Sequence, residues 1–147
     1  MLFWDTSALL KLYVSEPDSN AFMTLAEREE PLVISAWTTH ELLCGLHRKE
    51  FLHDLKVGGA EAIYQRILQQ ITLGSLEVIA YTAAVAQRTS EVIRACYDAP
   101  EPVAIRSLDA LQLGSALAGG AVQVVSADAR MRDGAKIFHL RVLPASE

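Results

Sequence analysis

The chain has 147 residues, 51% of them apolar, which is enough for one sizeable core and short for two. A formal net charge of −5 excludes an overall positive field that would gather nucleic acid, although a bound divalent cation reverses that logic locally. The two cysteines, Cys44 and Cys96, lie far apart, which excludes a redox pair, a zinc knuckle or a disulfide scaffold. Both stand in apolar helical segments and are expected to be buried free thiols.

Leu2 to Trp4 reads as a short buried strand, and Thr6 to Val14 as a helix that Asp5 or Thr6 can cap. Pro17 suits the first turn of a second helix running to about Glu30. Pro31 to Ser35 is the second strand, and Ala36 to about Leu55 a long helix. After Gly58-Gly59 come a helix from Ala60 to about Leu73 and a strand from Leu76 to Ala80. Thr82 caps a helix to Asp98, and Ala99 to Arg106, with two prolines, is an ordered loop. Ser107 to Leu117 is helical, Val122 to Val125 a strand, Ala129 to Ala135 a short helix and His139 to Leu143 an edge strand. Strands alternating with helices predict an α/β fold with a mostly parallel central sheet and helices on both faces, as one domain over residues 1–147. No basic leader precedes an apolar segment, and no apolar run reaches the ~18 residues of a membrane span, so a cytoplasmic protein with no membrane contact is expected.

Four acids occupy unexpected places. Sheets of this kind build their sites outside the carboxyl ends of the strands. Asp5 follows the first strand directly, and Asp128 follows Val125 by three residues, so both project from one rim. Each can also be a helix cap. Asp109 sits in "SLDALQLGSALAGG", a helix apolar nearly all round and so expected to be buried, where a carboxylate needs a partner or a metal. Capping Ser107's turn or pairing with Arg106 would serve equally. Glu41 lies in "AWTTHELLCGLHRKE", either exposed or beside space left by Gly45. Carboxylates ~4 Å apart repel by ~4 kcal/mol, so four together require cations or shared protons, and an all-oxygen set selects Mg²⁺ or Mn²⁺.

With these residues in view, the sequence resembles PIN-domain proteins, in particular VapC-type toxins of toxin–antitoxin pairs. "DTSALLKLYVSEP", "HELLCGL", "SLDALQLGSAL" and "VVSADARM" are similar to that family's motifs in the same order. The resemblance implies a three-layer α/β/α sandwich and a Mg²⁺- or Mn²⁺-dependent endoribonuclease that cuts single-stranded RNA. It implies that Asp5, Glu41, Asp109 and Asp128 are the catalytic, metal-binding quartet, with Ser7 and Ser126 as auxiliary hydroxyls. It implies a cognate VapB-type antitoxin and a homodimer as well. The helices from Ala8 to Glu30 and from Ala60 to Leu73 carry apolar positions that form either an antitoxin groove or core.

Asp133 is expected on a solvated helix face, or else as a fifth acid. Lys11, Arg106, Arg130 and Arg132 are candidates for phosphate contact, Arg106 and Arg130 first. "HELLCGLH" lacks the second histidine that H-E-x-x-H requires, so zinc hydrolysis is excluded and His40, His47, His53 and His139 are expected at the surface or with their hydrogen bonds satisfied. Two rival functions remain. One is an aspartyl-phosphate phosphotransferase with Asp5 as nucleophile, although Ser7 stands where a second acid is usual. The other is a non-catalytic PIN-like module that binds RNA or protein.

Overall fold

Leu2, Phe3 and Trp4 are all buried and form β1 (Leu2–Trp4), the middle strand of a five-stranded sheet. The structure is a computed structural model describing residues 1–28 and 31–145. The other strands are β2 (Leu32–Ser35), β3 (Leu76–Ile79), β4 (Gln123–Val125) and β5 (Arg141–Leu143). They run in the order β3-β2-β1-β4-β5, every pair parallel, with Phe3 opposite both Val33 and Val124.

Alternation along the strands divides the core between two layers of helices. Leu2, Trp4, Ile34 and Val125 face α1 (Thr6–Leu10), α2 (Ser19–Ala26), α3 (Ala36–Phe51) and α4 (Gly59–Leu73), through Leu9, Phe22, Leu42 and Ile67 among others. Phe3, Val33 and Val124 face α5 (Ala83–Asp98), α6 (Ser107–Ala118) and α7 (Ala129–Ile137), through Val92, Leu113 and Met131. The expected three-layer α/β/α architecture is therefore present. Among the described residues no helix is long and apolar enough to cross a membrane.

Several element ends differ from the sequence pattern for local reasons. The first helix stops at Leu10, because the amides of Lys11, Leu12 and Tyr13 each bond a carbonyl only three residues back, which tightens the chain into turns. The second starts at Ser19 rather than Pro17 and ends at Ala26; Glu30, its expected end, lies outside the described residues. α3 ends at Phe51 because His53 adopts a left-handed φ of 65°. His139, with φ 57°, likewise delays β5 to Arg141. α7 runs two residues past its expected end, to Ile137.

Candidate active site

Asp5 continues the sheet by one bond, its amide donating to the Val125 carbonyl (3.1 Å), and then caps α1. Its Oδ1 accepts from the Ala8 amide (2.9 Å) and from Ser7 Oγ (2.7 Å), and Oδ2 accepts from Ser126 Oγ (2.5 Å). It is only 4% exposed, and every donor it meets is neutral. Burial therefore pushes its pKa up to about 6. The bonds from Ser126, Ala8 and Ser7 pull it back, and the charge of Asp128 adds to the rise. Asp5 therefore caps α1 and also lies within the field of a second acid, Asp128.

The loop after β4 is laced to the loop after β1. Ser7 Oγ accepts from the Ala127 amide (2.9 Å), and Ser126 Oγ accepts from the Asp128 amide (3.1 Å). Asp128 caps α7, its Oδ1 accepting from the Met131 amide (2.9 Å). Its other oxygen accepts from Arg106 Nη2 (3.3 Å), while Arg106 Nε donates to Asp109 Oδ2 (2.9 Å). One guanidinium thus bridges two of the expected acids. Asp109 holds the Arg106 pKa above its ordinary value, and Asp128 and Glu41 add to that, which puts Glu41 within the same field.

Glu41 is half-buried on α3, and its Oε1 accepts from Gln112 Nε2 (2.6 Å). Gln112 lies one turn beyond Asp109 on α6 and is fully enclosed. Its Nε2 also donates to Thr6 Oγ1 (3.1 Å), and its Oε1 accepts from Ser35 Oγ (2.9 Å) and Thr38 Oγ1 (3.1 Å). Sequence reasoning missed Gln112, Ser35, Thr38 and Thr6. The signal for Gln112 was present: it is the one long polar side chain in "ALQLGSALA", three residues after Asp109.

Other expectations divide. Arg130 is exposed and, with Arg106, Asp128 and Asp133, lines a cleft of about 430 Å³. Asp133 pairs with Lys136 (3.0 Å) on the exposed face of α7, as a solvated residue. Lys11 is not available to phosphate: it is buried and paired with Glu16 and with Asp18 (2.7 Å), which hold its charge although burial opposes it. Arg132 is committed elsewhere, donating to the carbonyls of Ser126 (2.8 Å) and Pro144 (2.8 Å), so it pins the chain after β5. Cys96 is buried as expected, but Cys44 is exposed, because the inward face of α3 falls on Thr38, Leu42 and Leu46. With Trp37, Gly45 and Leu108 it lines a pocket of about 370 Å³ beside Glu41, so the space next to Gly45 is real. The four histidines are at the surface.

A family model for the PIN domain matches residues 2–137. The chain belongs to the PIN domain family. Two solved structures share the fold over nearly their whole length. One is a toxin–antitoxin complex from Klebsiella pneumoniae, with a TM-score of 0.65 and 16% identity, covering 100% of this chain and 99% of that one. The other is VapBC2 from Rickettsia felis bound to a DNA fragment from its promoter, with a TM-score of 0.64, 17% identity and 97% coverage of each chain. No curated protein matches the sequence.

The acids of this PIN domain fit a hard divalent cation in donor chemistry. All are oxygen donors, and Asp5, with three of its four lone-pair positions taken by neutral groups, keeps one on Oδ2. Its carboxylate is buried without a countercharge, which a cation would provide. Among the described residues no three acid, histidine or cysteine side chains are already arranged around a common point, and the guanidinium of Arg106 lies between Asp109 and Asp128.

Proposed function

We propose that this PIN domain is a Mg²⁺- or Mn²⁺-dependent endoribonuclease that cleaves single-stranded RNA, acting as the toxin of a toxin–antitoxin pair. One observation carries the reading. Asp5, Asp109, Asp128 and Glu41 come from four distant stretches of chain, yet fixed hydrogen bonds and one arginine link them along one strand rim. These acids would hold a divalent ion, which would supply an activated water and offset charge on the scissile phosphate. Asp5 and Asp109 serve as the principal ligands, and Glu41 and Asp128 complete the set. Ser7 and Ser126 hold the Asp5 carboxylate in one orientation. Arg106 and Arg130 meet the RNA phosphates in the cleft beside Asp128.

An antitoxin partner is supported by the two structural neighbours, which come from toxin–antitoxin complexes. Exposed Met23 on α2 and Leu68 and Leu73 on α4 offer it apolar footing, while Phe22 and Ile67 belong to the core. A homodimer completes the proposed assembly. A phosphotransferase is disfavoured, because the residue two after Asp5, where such enzymes usually carry a second acid, is Ser7, whose hydroxyl donates to the Asp5 carboxylate.

The test is cleavage of a mixed-sequence single-stranded RNA by wild type and Asp5→Asn, with Mg²⁺, with Mn²⁺ and with chelator. Cleavage by wild type alone, and only with metal, is the expected result. If both proteins bind the RNA equally and neither cuts it, the chain is a non-catalytic binding module.

A further inference from the structure

Gln112 has no part in the chemistry assigned above, yet its side chain is more completely used than any other at the site. Both amide hydrogens donate, to Glu41 Oε1 (2.6 Å) and Thr6 Oγ1 (3.1 Å). The amide oxygen accepts from two hydroxyls, Ser35 Oγ (2.9 Å) and Thr38 Oγ1 (3.1 Å). Those partners come from α3, the start of α1, and the junction of β2 with α3. The orientation of the amide follows from its neighbours. An ionised carboxylate only accepts, so the nitrogen must face Glu41, and the hydroxyls are then left to donate to the oxygen. Ser35 is itself oriented, because its Oγ accepts from the Trp37 amide (3.2 Å).

The arrangement has a direction. Ser35 and Thr38 fix the amide, and the amide fixes one oxygen of Glu41. The same helix turn that presents Asp109 to the rim presents Gln112 beneath Glu41, so α6 sets the spacing between two of the four acids. A glutamate on the first half of α3 has several rotatable bonds and would otherwise sample solvent. Charge-assisted donation from a buried amide removes that freedom. We propose that Gln112 is a positioning residue that holds Glu41 in the geometry required for a divalent cation. This deepens the nuclease reading and rests on it only for Glu41's place in the metal site. Partners that orient a metal ligand in this way typically govern about 10- to 100-fold in metal affinity.

The experiment is a double-mutant cycle on Mn²⁺ binding, read by calorimetry without RNA, with the thermal midpoint of each protein recorded. Gln112→Met keeps the volume and removes the hydrogen bonds, while Ser35 and Thr38, 3.2 Å apart, can still bond each other. Gln112→Asn, one methylene shorter, keeps a polar amide in the enclosure but draws it back from Glu41, and covers the case in which the methionine variant does not fold. Each should weaken Mn²⁺ binding about tenfold or more in the native background and hardly at all in a Glu41→Gln background. Equal losses in both backgrounds, or wild-type affinity in both Gln112 variants, overturn the proposal. RNA cleavage is scored separately. Wild type that binds Mn²⁺ with the expected coupling but cuts no RNA refutes the nuclease and leaves Gln112's role intact. Wild type that binds no Mn²⁺ refutes both.

Discussion

Asp5 combines a structural task with a cost to stability. A free Asp titrates near 3.8, and this one near 6, mainly because it is buried. Between roughly pH 4 and 6 the folded chain holds more protons than the unfolded one. Stability therefore falls as pH rises through that window, and the loss is complete above it, at about 3 kcal/mol. Asp5→Asn removes the buried charge, and its amide can donate to Ser126 Oγ, which can turn toward the Asp128 carbonyl (3.4 Å). In chelator at pH 8 the variant should melt roughly 5–10 °C above wild type, and at pH 4 the two should nearly coincide. A variant that melts below wild type at pH 8 would contradict this account. Arg106 is the opposite case, a cation standing where the acids need one. A divalent ion between Asp109 and Asp128 would repel it. Arg106→Gln should bind Mn²⁺ about two- to fivefold more tightly, as expected for release of an exposed ion pair, and cleave RNA more slowly for want of a phosphate contact. Weaker Mn²⁺ binding by that variant would show that the arginine supports the ion instead.

The spacing of the elements depends on a few tight contacts. α6 lies so close to α5 that a Cβ on Gly114 would come within 2.8 Å of the Thr89 amide nitrogen and 2.9 Å of its Cα. Backbone cannot yield as a side chain does, so the two helices would have to separate. Gly114→Ala should cost about 1–3 kcal/mol in urea titration, despite alanine's better helix propensity, and should loosen the site because α6 carries both Asp109 and Gln112. Most of this architecture was legible in the sequence. The helices and strands follow from apolar spacing, and the placement of Asp5 and Asp128 follows from the rule that such sheets build sites at their carboxyl rim. Less legible were contacts that depend on distant partners. Nothing in "MRDGAK" shows that Arg132 will grip the carbonyls beyond β5, and the turn that brings the nearby Glu16 and Asp18 onto Lys11 is not visible in the apolar spacing. Cys44 was misplaced because its apolar neighbours Leu42 and Leu46 point inward while it points out. Gln112 was the readable exception, since a long polar side chain in a helix expected to be buried needs partners.

At the scale of the whole molecule, the proposed metal site in a chain of net charge −5 predicts a fold stabilised by divalent cations. Any ligand bound only by the folded state stabilises it, by about 2.7 kcal/mol at a hundredfold excess over its dissociation constant. Mn²⁺ at that excess should raise the thermal midpoint of wild type by roughly 5–10 °C, and chelator should restore the original value. A midpoint indifferent to Mn²⁺ and Mg²⁺ would remove the ion from the picture.

The hydrogen bond from Ser126 to Asp5 joins positions 121 residues apart, and the strand that leads into Asp5 lies between one early neighbour and one late one. On a ribosome the first strand emerges long before its second flank exists. A nascent chain stopped at Gly120 already contains Asp5, Glu41 and Asp109, yet has neither Ser126 nor Asp128 to close the rim. On the proposed reading, the rim is completed only once β4 and the loop after it have been made, so a chain stopped short of them lacks two of the groups assigned to the nuclease site.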